Sequence, residues 1–466
     1  MTDSQAEKQP SQSKNPRRMV LVQAHSENVA HLLSKRAERN AAPKSSTRTP
    51  DFIVNSKEYH LTGEKEPIWL ETIYGQGNWD HKTEGQVSSP KQLTLPELPE
   101  KSKYDAPYQL QENEILTMLK EVAVHTAYGP DRLAYQALKI CRVTIAPIIT
   151  HIFNKFLLLN IHPADFKKSI LVAIRKPNKP AHDPKAYRPI ALLNCLGKLF
   201  ERIVANRLKA IILEHNVLPK VQFGTPGNST THALEYLTNK VIGNWLRNRK
   251  VSLFGLDLTG AYDHVKRQLL LKKMVEKGFP NWIIKFLWSY LSNRYTVVRL
   301  PREEMSGQNE YWIHEGVPQG GPLSSILFLI YADCLLENPG VSSNQFEVSL
   351  FAFVDDTYVI VMAREKCDRE EMCKIFKEVH DRLVKTADSH HFKFSPTKYN
   401  VFHFVKPGSR SPDDQALPKL KEFDNLTQKE KNDIRPDTLK ILGVIFDKRL
   451  TFIPHIEQVR RKSSCL

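Results

Sequence analysis

An α+β fold is predicted by three features of this 466-residue chain. Two apolar runs rich in Val, Phe and Ile, Val348 to Val354 and Thr357 to Met362, read as a strand pair broken only by Asp355-Asp356. Apolar residues from Leu196 to Ile212 follow a three-four helical spacing behind Asn194 as a cap. A further run, Val251 to Leu258, is a strand carrying Asp257 near its end, with a helix expected from about Asp263. An apolar content of 41% supports a real core and excludes global disorder. The length suits two or three ordinary domains or one large multi-lobed one.

Taken in order, residues 1–105 carry Ser/Pro/Lys clusters and repeated prolines, and are expected to form a basic, mostly flexible leader with a short helix near Asn28 to Arg39. Residues 106–160 read as helical. Periodicity begins at Gln111, breaks at Gly129-Pro130-Asp131, and resumes to about Leu159. In 161–250 a short strand, Leu171 to Ile174, leads into a Pro/Lys loop, the long helix after Asn194, and a second helix from about Ser229 to Leu246. Residues 251–447 hold the strands and the acidic pair, and 448–466 form a separate closing segment.

The net charge of +16 points to a polyanionic partner, nucleic acid being the usual one. Residues 161–210 hold eleven Lys and Arg against three acids, a net +8, which favours a phosphate-facing surface. The six cysteines show neither zinc spacing nor a disulfide framework. Cys367 and Cys373, expected on one helix, read as packing residues of a reduced, intracellular chain. The longest apolar run, around Ile326 to Leu336, contains Asp333 and is too short for a membrane span.

The acidic pair lacks the Gly that two-residue hairpin turns favour, and adjacent acids between buried strands need a cation to compensate them. A solvated hairpin tip is the bland alternative; for Asp257 it is an ordinary capping or loop acid. One carboxylate at a strand end plus two on a hairpin is the donor set of a two-magnesium phosphoryl-transfer site. Such a site must offset about +4 and supply oxygen ligands to two ions. Between these acids lies Glu315-Gly316-Val317-Pro318-Gln319-Gly320-Gly321-Pro322-Leu323-Ser324-Ser325, a glycine-rich loop that lets backbone approach a ligand closely.

The order of acidic strand, Gln-Gly loop and Asp-Asp hairpin resembles the palm of reverse transcriptases. Tyr187-Arg188-Pro189-Ile190, Lys198-Leu199-Phe200-Glu201-Arg202, Gln222-Phe223-Gly224 and Phe394-Ser395-Pro396-Thr397-Lys398 resemble motifs of the non-LTR (LINE-type) retrotransposon enzymes. Leu442-Gly443-Val444-Ile445-Phe446-Asp447 resembles the segment leading into their thumb. The match runs from about residue 110 to 460, with a flavour nearest fungal elements. It implies a right-hand fold of fingers (161–250) and palm (251–447), with a reverse transcriptase domain over about 155–447. The palm would be an antiparallel sheet backed by helices, with the thumb truncated or absent after 448. No endonuclease or RNase H domain is expected.

The resemblance implies RNA-directed DNA synthesis on an RNA template from a DNA primer or nicked target, with dNTPs and two Mg2+, Mn2+ being a substitute. Asp257, Asp355 and Asp356, with the Leu258 carbonyl, would hold metal. Gly260, Ala261, Gln319 and Gly320 would lie against the nucleotide. Lys176 and Arg188 would grip its phosphates unless they are simply a solvated basic loop. Lys398 is a candidate proton donor to pyrophosphate, or a solvent lysine. Tyr262 stands at the steric-gate position, with core packing as its alternative, and argues for deoxynucleotides against an RNA-directed RNA polymerase. Asp263 is expected to order the turn or cap the next helix. Gly321, Ser325 and Val354 depart from the family's usual Ser, Pro and Ala, each read as a modest change. A non-catalytic nucleic-acid-binding remnant and a group II intron-type enzyme are the competing readings. Nuclear action is implied by the family and by clusters such as Arg17-Arg18 and Arg460-Arg461-Lys462.

Overall fold

The computed structural model describes residues 49–177, 179–301, 309–337, 343–364, 366–409, 416–424 and 426–463. The helix expected near Asn28 to Arg39 lies outside them. Described residues open on a short hairpin, β1 (Phe52–Val54) and β2 (Lys57–Tyr59), then α1 (Thr62–Tyr74) and strand β3 (Trp79–Lys82). The expectation of a mostly flexible leader is therefore corrected over 49–82. Phe52, Trp69, Leu70 and Tyr74 are buried in a cluster with Leu171, Ala173, Tyr187 and Tyr311. Only a few apolar anchors do this work, and Pro67 inside α1 hides them from a periodicity search.

Helices α2 (Glu112–Glu121), α3 (Tyr135–Ile140) and α4 (Arg142–Leu158) follow, the last two separated at Cys141. Strands β4 (Lys168–Arg175) and β5 (Tyr187–Leu192) lead to α5 (Cys195–His215) and α6 (Thr230–Leu246). Asn194 stands at the N-cap position of α5, but its side chain bonds elsewhere. Its Oδ1 accepts from the Asp131 amide at 3.2 Å and its Nδ2 donates to the Asp165 carbonyl at 2.9 Å. A Cβ on Gly129 would stand 2.4 Å from the Asn194 nitrogen, so the break at Gly129-Pro130-Asp131 is a close crossing of two chain segments.

Strand β6 (Arg249–Leu256) is followed by α7 (Arg267–Glu276), α8 (Asn281–Leu291), β7 (Tyr295–Arg299), β8 (Glu310–Ile313) and α9 (Ser324–Ala332). Helix α7 begins four residues later than expected, because the backbone of Tyr262 to Val265 is cross-linked to the glycine loop. Gly316 N–H donates to the Val265 carbonyl at 2.8 Å and Val317 N–H to that of Tyr262 at 2.9 Å. Strands β7 and β8, within the stretch assigned to the palm, instead join the fingers sheet, whose order is β3-β8-β7-β4-β5 with only β4 and β7 parallel.

The remaining elements are β9 (Phe346–Phe353), β10 (Asp356–Arg364), α10 (Arg369–Ser389), β11 (Asn400–Phe404), α11 (Gln428–Ile434), β12 (Thr438–Ile441), β13 (Val444–Asp447) and α12 (Ile453–Ser463). Cys367 precedes α10 and only Cys373 lies on it; both are buried free thiols. The palm sheet runs β11-β6-β10-β9, antiparallel throughout. Its strands alternate between two cores. Phe254, Leu256, Val359 and Val361 face the large helical core, whereas Leu253, Phe351, Ile360 and Phe402 face a smaller one beneath α6. Burial of both faces is why these strands read as unbroken apolar runs. Among the described residues no helix is long and apolar enough to cross a membrane.

Trp69 is fully buried between α1 and the fingers sheet. Replacing it with Ala is expected to cost about 3–5 kcal/mol, read as a lower denaturant midpoint at unchanged slope.

Candidate active site

The acids converge because the sheet register demands it. Thr357 pairs with Leu256 in antiparallel alignment, so one step further Asp356 stands opposite Asp257. Phe353 pairs with Asp356 across the hairpin, leaving Val354 and Asp355 as the two-residue turn. Burial, then the charges of Asp355 and Asp257, push the Asp356 carboxyl up to about 6. Asp355 is also raised, chiefly by burial and further by Asp257. Carboxyls pushed up by burial and by neighbouring like charges in this way are a site in want of a cation.

One cation is supplied by the chain. Lys398 Nζ donates to Asp257 Oδ2 at 2.6 Å. It is brought there by an antiparallel bridge between Leu258 and Phe394, in which Thr259 N–H donates to Lys393 O and Ser395 N–H to Asp257 O. Those two bonds leave the Leu258 carbonyl outside the bridge. Among the described residues no three acid, histidine or cysteine side chains are already gathered closely enough to cage a metal ion. The three aspartates are nevertheless an all-oxygen donor set of the kind that hard divalent cations prefer.

The expected nucleotide-facing groups lie around these acids. Lys176 follows directly on β4, its N–H donating to Ala186 O at 2.7 Å, and Arg188 lies on the neighbouring β5, where it pairs with Ile174. Burial, then Arg188 and Lys398, lower the Lys176 pKa, so the three cations share one neighbourhood. Lys176 Nζ donates to the Lys185 carbonyl at 2.8 Å. Gly260 adopts φ +59°, a left-handed conformation that suits glycine, and its carbonyl closes the turn by accepting from the Asp263 and His264 amides. Asp263 does not cap α7. It is buried under the glycine loop, where loss of water raises its carboxyl to about 7.

Tyr262, Gln319, Gly320 and Ser325 line a cavity of about 670 Å³ whose far wall carries Lys198 and Arg202. Burial raises the Tyr262 phenol, opposed by a hydrogen bond with Ser325, and the ring tilts over Phe328 at 5.2 Å. Ser325, one of the departures, is thus a partner for the tyrosine that proline would not provide. The Gln319 side-chain oxygen is buried without a partner among the described residues, while its backbone carbonyl accepts from Ala191 N–H at 2.8 Å. Gly320 has no room for a side chain, since a Cβ would stand 2.8 Å from the Ala191 carbonyl oxygen.

Two residues with no role in the sequence reading hold this loop. Buried Arg267 donates through Nε to Gly316 O, through one terminal nitrogen to Leu291 O and Ile313 O, and through the other to Glu315 O, all within 2.7–3.1 Å. Glu201, fully buried, accepts from the Tyr290 hydroxyl at 3.4 Å, and burial lifts its carboxyl to about 7. A Cβ on Gly321 would stand 2.8 Å from Glu201 Oε2, which explains glycine where the family commonly has serine.

Residues 174–446, more than half of the chain, match the family described as reverse transcriptase (RNA-dependent DNA polymerase). The chain belongs to that family. Its α+β architecture, with an antiparallel palm and a mixed fingers sheet, is the right-hand polymerase fold. Among similar proteins is the probable RNA-directed DNA polymerase from transposon BS of Drosophila melanogaster, 28% identical over 82% of this chain and 39% of that protein. The corresponding protein of transposon X-element of the same species is 26% identical over 86% of this chain and 41% of its own. The polymerase of the mobile element jockey is 23% identical over 92% and 44%. The chain thus spans about two fifths of the length of these relatives. A telomerase structure from Candida albicans, in complex with a fragment of telomeric RNA, aligns with a TM-score of 0.36 at 16% identity, over 56% of this chain and 46% of that one.

The raised Asp356 carboxyl fixes a direction for stability. An unfolded aspartate titrates near 3.8 and the folded one near 6, so between those values the folded chain holds the extra proton and stability falls as pH rises. In chelator, Asp356→Asn is expected to flatten that dependence and to stabilise the fold at pH 7.5 by on the order of 1–2 kcal/mol. Denaturant unfolding at pH 4.5 and 7.5 reads both.

Proposed function

We propose that this chain is the polymerase unit of a non-LTR retrotransposon, an RNA-directed DNA polymerase that extends a primer 3′-hydroxyl with deoxynucleotides. The observation that carries this reading is the juxtaposition of Asp356 with Asp257 across the sheet, Asp355 beside them, with Lys398 paired to Asp257. The resemblance to transposon-encoded polymerases supports it.

In this reading Asp257, Asp355, Asp356 and the Leu258 carbonyl hold two divalent ions, magnesium with manganese as substitute. When bound, the ions neutralise phosphate charge and lower the pKa of the attacking hydroxyl. The chain's own residues do the rest. Lys176 and Arg188 meet the triphosphate from the fingers, as charge-assisted contacts. The backbone amides of Gly260 and Ala261 lie beside it. Lys398 leaves Asp257 and is positioned to protonate the departing pyrophosphate. Gln319 meets the incoming nucleotide from the glycine loop, with the exposed Gly320 backbone beside it. The Tyr262 ring fills the space that a 2′-hydroxyl would need. RNA template and DNA primer are the matching partners, and the nucleus the matching place of action.

Primer extension on an RNA template with dNTPs is the test. Asp355→Asn and Asp356→Asn are each expected to lower the rate about 10³-fold or more. Extension unaffected by both substitutions would refute the site. Absence of extension by the unaltered chain with magnesium and manganese, despite RNA binding, would favour the non-catalytic remnant. Tyr262→Val is expected to weaken discrimination against ribonucleotides about 10–100-fold while retaining dNTP incorporation, measured as the ratio of kcat/KM values.

A further inference from the structure

The turn that carries Asp355 is built from the wrong residue. Val354 adopts φ +60°. Hairpin turns that need a positive φ at their first central position ordinarily place glycine there. A β-branched residue in that region is strained, at a cost of about 1–3 kcal/mol, and persists only where its surroundings impose the conformation. Here the imposing group comes from far away in the sequence.

The Gln222 side chain, almost fully buried, holds both polar backbone groups of Val354. Its Oε1 accepts from Val354 N–H at 2.9 Å, and its Nε2 donates to Val354 O at 3.2 Å. The same Oε1 accepts from Gly224 N–H at 2.9 Å, which orients the amide. The flanking backbone joins in. Phe223 N–H donates to Ala352 O at 2.7 Å and Ala352 N–H to Val221 O at 2.9 Å, so Gln222 forms a parallel bridge with Ala352 alongside β9. Phe223 packs its ring against Tyr236 and Phe351, anchoring the segment in the smaller core. A Cβ on Gly224 would stand 2.8 Å from both Val354 Cγ2 and Val354 N, so only glycine lets the two segments close. Each residue of Gln222-Phe223-Gly224 therefore has a task at the acidic turn.

The geometry points to Gln222 as a positioning residue for the active site: its side-chain amide clamps Val354 in the left-handed conformation and so aims the Asp355 carboxylate at Asp257 and Asp356. Gln222 touches no reacting group and acts only through the turn. The clamp is a structural statement in its own right; its effect on rate rests on the polymerase reading above.

The test pairs Gln222→Met, which keeps the volume but removes all three side-chain hydrogen bonds, with Val354→Gly, which tolerates the positive φ without help. In single-nucleotide extension Gln222→Met is expected to lower kcat about 10–100-fold, with KM for dNTP and affinity for primer-template within about threefold of the unaltered chain. Hydrogen exchange is expected to accelerate in peptides covering residues 350–358 and not in those covering α10. The double variant Gln222→Met/Val354→Gly is expected to recover much of the lost kcat, which a general loss of stability would not permit. Unchanged kcat in Gln222→Met, or unchanged exchange at the turn, would overturn the proposal. So would failure of the double variant to exceed Gln222→Met. If the unaltered chain shows no extension, the polymerase reading fails, while exchange at the turn still decides the clamp: acceleration confined to 350–358 supports it and none overturns it.

Discussion

Like charges gathered at one end of a buried sheet are the constraint to which the rest of this molecule answers. Asp257 and Asp356 face one another across β6 and β10, with Asp355 on the adjoining turn. Their repulsion would be relieved most simply by letting the strand ends fray into water. The fold prevents that by burying both faces of the palm sheet, in cores that run almost to its acidic end. It also sets Lys398 against Asp257, on a segment that is itself tied down. Lys398 is delivered by a backbone bridge, and Lys176 follows directly on β4, an interior strand of the fingers sheet.

Rigidity around the acids comes from side chains that bond to backbone. Arg267 gathers four carbonyls from the loop, β8 and α8. A guanidinium in that position satisfies groups that an irregular buried loop would otherwise leave unpaired, where each unmet bond costs about 1–3 kcal/mol. Glu201 makes the complementary arrangement from below, with glycine at 321 leaving space for its carboxylate. Both are ionisable groups placed in the core, and both act on the segment that carries Gln319.

Much of the palm was legible in the sequence because its chemistry interrupts its packing. Aspartates within runs of Val, Phe and Ile stand out, and the runs are continuous because water reaches neither face. The long helix after Asn194 and the helix after Ser229 were legible for the same reason, each burying a regular stripe. The start of α7 was misplaced because the residues after Asp263 bond to the glycine loop instead of to one another, a pairing across some fifty residues that local spacing does not encode. The N-terminal layer was missed since three-residue strands and a helix containing Pro67 produce no period. Val354 looked like a mild replacement for alanine; its cost lies in a backbone angle that composition does not reveal. Arg267 and Glu201 carry no local signature, because their partners lie some twenty to ninety positions away.

The pairing of β3 with β8 has a consequence for how the chain comes into being. Trp79 meets Ile313 across more than two hundred residues, and β4 meets β7 across more than one hundred. During synthesis at about 5–20 residues per second, β3 emerges roughly 10–50 seconds before the partner that covers it. Through that interval β3 and the apolar side of α1 are open to intermolecular strand pairing. The palm waits too, since β6 pairs with β10 across about one hundred residues. A nascent copy of this protein therefore carries unmated sheet edges until β8 and β10 have been made.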